Sequence, residues 1–200
     1  MTLSTIKSRP IYPGLTPDLN ARSNIVVSDK AGADAVAELL SRGDENFAKR
    51  TTVILADALA DKDRQAIARE LAPATIEFHA TLADGIARLR QLLDGAPMGL
   101  RLYAAGSETL IGFVVQAGGD FSIDHLSIRT EHRGTLMRRV QCVHCKTFIE
   151  NVTTNPVKCT HCGITLLVRD HYSRRLAAFQ GVCIDAEIPG DIPPTEALYQ

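Results

Sequence analysis

The chain has 200 residues, with 22 Lys and Arg against 23 Asp and Glu and a formal net charge of -1. Hydrophobic residues make up 45% and charged residues 22%, so a core can form and wholesale disorder is excluded. The balanced charge argues against a protein built around nucleic acid, and no apolar run is long enough to span a bilayer.

The N-terminal MTLSTIKSRPIYPG has no basic segment followed by an apolar one. It is therefore not expected to be a secretory signal, and the expected location is the cytoplasm. Pro10, Pro13 and Pro17 predict an extended arm over residues 1–23, because proline fixes φ and removes a backbone donor.

From Asn24 onward, short apolar runs alternate with helical periods. Ile25-Val26-Val27 predicts a first buried strand, followed by a helix over Asp34–Ser41 with Val36, Leu39 and Leu40 on one face. Thr51–Ala56 predicts a second strand and Asp63–Leu71 a second helix. Thr75–His79 predicts a third strand. The next helix is capped by Thr81 and carries the stripe Leu82, Ile86, Leu89 and Leu93. Leu100–Ala104, Ser107–Gln116 and His125–Arg129 predict a strand, a helix and a final strand. Short apolar strands separated by helices predict a parallel sheet covered on both faces. Residues 24–135 are thus expected to form a small doubly wound, Rossmann-like α/β domain. Residues 136–182 are expected to form a four-cysteine ribbon module. Residues 183–200 are expected to be an extended tail carrying Asp185, Glu187, Asp191 and Glu196 with no Lys or Arg.

Four of the five cysteines form two tight pairs, Cys142-Val-His-Cys145 and Cys159-Thr-His-Cys162-Gly. In a cytosolic chain that pattern reads as metal binding rather than a disulfide framework. Each C-x-x-C turn aims two thiolates at one ion, and two turns complete a tetrahedron. Gly163 suits the tight turn after the second pair, with Lys146 in the matching place after the first. The thirteen intervening residues suffice for a β-hairpin and no more.

Zinc and iron both accept four thiolates. The short spacing and the lack of aromatic residues around the knuckles favour zinc. Four thiolates leave no open position, so that zinc is expected to be structural. Iron would give a rubredoxin-like electron carrier. His144 and His161 are expected outside the ligand set. Arg138, Arg139 and Lys158 are expected either to balance the thiolates or to form a basic docking face. A nucleic-acid-binding zinc ribbon is a third reading, but it needs a basic stripe and stacking aromatics.

In His171-Tyr-Ser-Arg-Arg175, Ser173 is expected to cap a short helix. His171, Arg174 and Arg175 would there meet an anion or a partner's carboxylate, which suits arginine's planar fork. Cys183 is expected to be a small hydrophobe.

The α/β domain offers no catalytic residues by spacing. No G-x-G-x-x-G follows the first strand, where Ser28-Asp-Lys-Ala-Gly32 has one glycine. Asp29 there would repel a pyrophosphate. His79, His125 and His132 are scattered, and the domain reads as a scaffold.

Tyr103-Ala-Ala-Gly-Ser-Glu-Thr-Leu110 and Asp124-His-Leu-Ser-Ile-Arg-Thr-Glu131 resemble the end of the nicotinamide-binding domain of ferredoxin reductases. Ala105 stands where that family has the cysteine of a Cys-Gly-Pro turn, and Ser107 replaces its proline. The resemblance implies a degenerate nucleotide site whose remnant is Gly106, Ser107 and Glu108. The order CVHC, CTHCG, HYSRRLAAFQGV resembles the small subunit family of bacterial dimethylamine monooxygenases. That implies an accessory subunit of a multicomponent enzyme that oxidises dimethylamine to methylamine and formaldehyde with NAD(P)H and oxygen. NAD(P)H, flavin and iron–sulfur chemistry would then belong to catalytic and reductase partner subunits in a hetero-oligomer.

Overall fold

The computed structural model describes residues 8–200, so the first half of the MTLSTIKSRPIYPG segment lies outside the described residues. The chain divides into two compact units, one of residues 12–134 and one of residues up to 11 together with 135–200.

The first unit is mixed α/β. Its elements are β1 (Ser23–Ser28), α1 (Ala33–Arg42), α2 (Glu45–Lys49), β2 (Thr51–Ala56), α3 (Asp61–Glu70), β3 (Thr75–His79), α4 (Leu82–Asp94), β4 (Leu100–Gly106), α5 (Glu108–Asp120) and β5 (Arg129–His132). The five strands are all parallel, in the order β3-β2-β1-β4-β5.

Successive side chains on a strand face opposite ways, so the apolar runs feed two cores. Ile25, Val27, Ile54, Leu102 and Ala104 pack with Leu89 and Leu93 of α4 and Leu110, Val114 and Ala117 of α5. Val26, Val53, Tyr103 and Ala105 pack with Val36 and Leu39 of α1, Phe47 of α2 and Leu71. Continuous apolar strands in this unit are thus the direct consequence of burial on both faces.

Three differences from the sequence expectations have local causes. Helix α2 was not anticipated, because five residues with one large apolar side chain, Phe47, show no period. It forms because Asp44 caps it, accepting from the Phe47 N–H at 2.6 Å. Helix α5 runs on to Asp120 rather than stopping at Gln116. Gly118 is needed there for close packing, since a Cβ would come within 2.7 Å of Ile128 Cδ1. The strand expected over His125–Arg129 is instead a 3-10 turn at His125–Ser127 followed by β5. The Asp124 carboxylate accepts from the Leu126 N–H at 2.7 Å and curls the backbone out of the extended form.

The arm residues from Tyr12 pack on this unit. Leu15 is 1% exposed and joins the core beside Tyr103. Its N–H donates to Glu131 at 2.9 Å, and the Gly14 N–H donates to the Thr130 carbonyl at 3.0 Å. The Asp18 carboxylate accepts from Arg101 at 2.6 Å.

The second unit is all β among the described residues. It contains β6 (Arg138–Cys142), β7 (Phe148–Val152), β8 (Thr154–Asn155), β9 (Val157–Lys158), β10 (Thr165–Ser173), β11 (Ala178–Cys183) and β12 (Glu196–Ala197). One sheet has the order β7-β6-β11-β10-β9, and β12 pairs with β8. The segment between the cysteine pairs does not fold on itself as a hairpin. Instead β7 pairs back onto β6 and β9 pairs forward onto β10. Each strand thereby closes the knuckle next to it. The short helix expected after Ser173 is a turn joining β10 to β11. Ala178 and Phe179 are buried by pairing with β10 and β6, and a run that short gains more from sheet burial than from one helical turn. The tail is not wholly extended into solvent. Tyr199 is buried at its end, and its N–H and that of Leu198 both donate to the Thr153 carbonyl.

Candidate metal centre

Strand β6 delivers Cys142 and the turn after it delivers Cys145. The Lys146 N–H donates to the Cys142 carbonyl at 2.9 Å, and the Cys142 N–H donates to the Thr147 carbonyl at 2.9 Å. The second knuckle repeats both bonds. The Gly163 N–H donates to the Cys159 carbonyl at 3.0 Å, and the Cys159 N–H donates to the Ile164 carbonyl at 2.8 Å. Both turns need a left-handed residue at the same place, supplied by Gly163 at φ 76° and by Lys146 at φ 66°. Glycine enters that region freely, whereas lysine does so only because the surrounding bonds hold it there.

The four sulfurs lie within 4.8 Å of one another, and this is the one such cluster of metal-type ligands among the described residues. Cys142 and Cys162 sulfurs are 3.8 Å apart, and those of Cys145 and Cys159 3.7 Å. A tetrahedron with metal–sulfur bonds of about 2.3 Å has sulfur–sulfur edges of about 3.8 Å. The distances are also far beyond a disulfide bond of about 2.05 Å. The donor set therefore fits one four-coordinate ion.

The electrostatics point the same way. The hydroxyl and the N–H of Thr147 both donate to Cys145, which lowers its thiol to about 5. At Cys162 the Ile164 N–H pulls downward, but desolvation and the neighbouring cysteine sulfurs push the thiol up to about 12. Four thiols this close cannot all ionise on their own account, and a bound cation removes that obstacle. Cys142 and Cys159 are buried, packed among Val140, Ile149, Leu166 and Phe179. The site is built into the core of its unit.

The arginines flanking the site are already engaged. Arg138, 6% exposed, donates to Asp170 at 2.8 Å, and its guanidinium lies 4.0 Å over Phe179 and 4.1 Å over Tyr199. Arg139 donates to Glu150 at 2.7 Å and to the Leu176 carbonyl at 2.6 Å, stacked 3.7 Å over Phe148. Arg138 and Arg139 thus pair with carboxylates and rings. Asp170, Phe179 and Tyr199 lie far from Arg138 in sequence, which hid them from a reading of the motif, whereas Phe148 and Glu150 come from the segment between the cysteine pairs.

His171 sits near the end of β10, within the register shift between Arg169 and Tyr172. Its Nδ1 is 3.5 Å from Ser8 Oγ and its Nε2 is 3.2 Å from Arg169 Nη2. Arg174 and Arg175 lie exposed in the β10–β11 turn. Cys183 donates to Asp185 at 3.2 Å, and that carboxylate raises its thiol.

Gly106, Ser107 and Glu108 lie in the α/β unit, at the end of β4 and the start of α5. Ser107 caps α5. Glu108 accepts from the Tyr12 hydroxyl at 2.7 Å. Asp29, noted in the sequence only as a repulsive charge, accepts from the Ser107 N–H at 2.9 Å and the Gly32 N–H at 3.1 Å. No helix among the described residues is long and apolar enough to cross a membrane.

Residues 4–128 match the N-terminal domain, and residues 139–182 the C-terminal domain, of the family described as dimethylamine monooxygenase subunit DmmA-like. The second match contains all four cysteines and the His171–Arg175 segment. The chain is also similar to the heme-dependent oxidative N-demethylase delta subunit of Ectopseudomonas mendocina (strain ymp). The two are 33% identical over 145 residues, which cover 68% of this chain and 81% of that relative. With both domains matched in order and a relative aligned across most of its length, the chain belongs to the dimethylamine monooxygenase subunit DmmA-like family.

Proposed function

We propose that this chain is an accessory subunit of a multicomponent, NAD(P)H-dependent dimethylamine monooxygenase. The reaction of the whole would be dimethylamine plus O₂, NAD(P)H and a proton giving methylamine, formaldehyde, NAD(P)⁺ and water. The observation that carries the reading is the closed four-sulfur site in a chain of this family. Four thiolates satisfy zinc completely and leave no position for substrate or oxygen. Zinc here would staple the ribbon together, not catalyse. Cys142, Cys145, Cys159 and Cys162 would hold it, and 136–182 would be a zinc ribbon that follows a Rossmann-like domain in the chain.

The haem named for the relative does not fit the cysteine cluster. Sulfurs within 4.8 Å of one another enclose a single ion and not a macrocycle. Oxygen activation, flavin and iron–sulfur chemistry would therefore reside in partner subunits.

Docking would use the exposed Arg174–Arg175 turn, with His171 nearby on its strand, and the segment between β11 and β12. That segment exposes Ile188 at 64% and Ile192 at 45% among Glu187, Asp191 and three prolines. It is tied at its start by the Gly190 N–H on Asp185 and at its end by β12 on β8. Exposed apolar residues on a braced acidic segment suit a basic-rimmed apolar surface. Co-expression with the other subunits tests this. The native chain is expected to elute in one complex with them. An Ile188→Asp/Ile192→Asp double variant is expected to lose at least tenfold in affinity while melting at the same temperature. Wild-type chain that never joins the complex, or turns over dimethylamine alone, contradicts the reading.

A further inference from the structure

The sheet order β3-β2-β1-β4-β5 places a reversal of winding between β1 and β4. Helix α1 follows β1 and packs on one face, and α5 follows β4 and packs on the other. In open parallel sheets the crevice at such a reversal is where anionic ligands bind, with helix N-termini aimed at them. Here that place is filled from within. One carboxylate oxygen of Asp29 accepts from the N–H of Gly32, the N-cap residue of α1. The other accepts from the N–H of Ser107, the N-cap residue of α5. Two helices on opposite faces thus present their positive ends to one negative group.

The glycines serve this contact. Gly106 holds φ +134°, and a Cβ there would sit 2.2 Å from Asp29 Oδ1. A Cβ on Gly32 would sit 2.2 Å from the Ala105 carbonyl oxygen. The close backbone approach that elsewhere admits a pyrophosphate admits a side chain of the chain itself.

We infer that Asp29 is an internal substitute for a ligand phosphate, which seals the β1–β4 crevice against dinucleotides and lets the α/β unit fold without one. The carboxylate neutralises both helix ends and fills the gap between them. A pyrophosphate approaching the crevice would meet like charge and donors already engaged. The inference stands independently of the proposed demethylase role, because it concerns this chain's own folding and binding.

The test uses the full chain. Calorimetric titration with NADPH and with ADP is expected to show no saturable binding to the wild type up to about 1 mM. Asp29→Asn, with the same shape but a donor in place of one acceptor, is expected to lower the melting temperature by about 5 °C. Asp29→Gly is expected to melt lower still, and to regain stability in sodium phosphate beyond what sodium chloride of equal ionic strength gives. Micromolar NADPH or ADP binding by the wild type overturns the inference, because the crevice is then open. An Asp29→Asn variant as stable as wild type overturns it as well, because the charge then does nothing there. If Asp29→Gly gains no more from phosphate than wild type does, the crevice is not an anion cradle.

Discussion

Asp18 shows how a single charge fastens the arm to the α/β unit. Its carboxyl is held below the ordinary 3.8, chiefly by the hydrogen bond from Arg101, against an opposing desolvation penalty. A carboxyl depressed in the folded state stabilises it above the unfolded pKa, and that contribution fades as pH falls through the folded value. Arg101 is 41% exposed, so screening limits the pair to about 0.5–1 kcal/mol. Urea titrations of wild type and Asp18→Asn should therefore differ by about that amount at pH 7 and converge as pH falls through the folded-state pKa, which lies below 3.8. A gap independent of pH would mean that Asp18 acts through its backbone turn and not its charge.

The same scale explains what the sequence disclosed about the site. The cysteines were legible because each pair is local and the knuckle geometry is fixed by four residues. Lys146 was placed by analogy with Gly163, and the repeated hydrogen bonds give the physical reason. Arg138 was not legible, since Asp170, Phe179 and Tyr199 reach it from three other parts of the chain.

At the scale of elements, the arm from Tyr12 onward behaves as part of the α/β core. Proline content marked residues 1–23 as extended, and among the described residues 8–22 form only turns and irregular backbone. Nothing in the composition foretold that Leu15 would be buried beside Val26 and Tyr103. Truncating it to alanine should cost about 2–4 kcal/mol, the usual range for a buried leucine, read from urea midpoints with an unchanged slope. A cost below about 0.5 kcal/mol would show that the arm is only loosely seated.

Strands and long helices were legible because their periods are strong: Thr51–Ala56 and Thr75–His79 have the expected bounds. The elements that departed from expectation were short or set by side chains acting on backbone. Asp44 created α2, Asp124 displaced the start of β5, and strand pairing turned Leu176–Phe179 from a helical turn into a turn and strand. The short helix expected to present Arg174 and Arg175 is replaced by the β10–β11 turn. Arg174 and Arg175 sit exposed in that turn.

For the whole molecule, the two units differ in what holds them. The α/β unit has two apolar cores flanking a parallel sheet. The β unit has one small core that includes Cys142 and Cys159. Small modules of that kind draw much of their stability from the metal. Helices α1–α5 all belong to residues 12–134. A chelator that strips the metal is therefore expected to leave the far-ultraviolet helical signal largely intact. Trypsin should then cleave at Lys146 and Lys158 at least tenfold faster. Loss of helix in step with metal removal would mean that the two units fold as one.

The four cysteines form a site for one metal ion, and structural zinc is the ion proposed for it. The most direct test of that proposal is elemental analysis together with a visible spectrum, on subunit purified with its partners and then separated from them. One zinc per chain and a colourless protein are expected. One iron per chain with thiolate-to-iron charge-transfer bands would contradict the proposal and make this subunit an electron carrier.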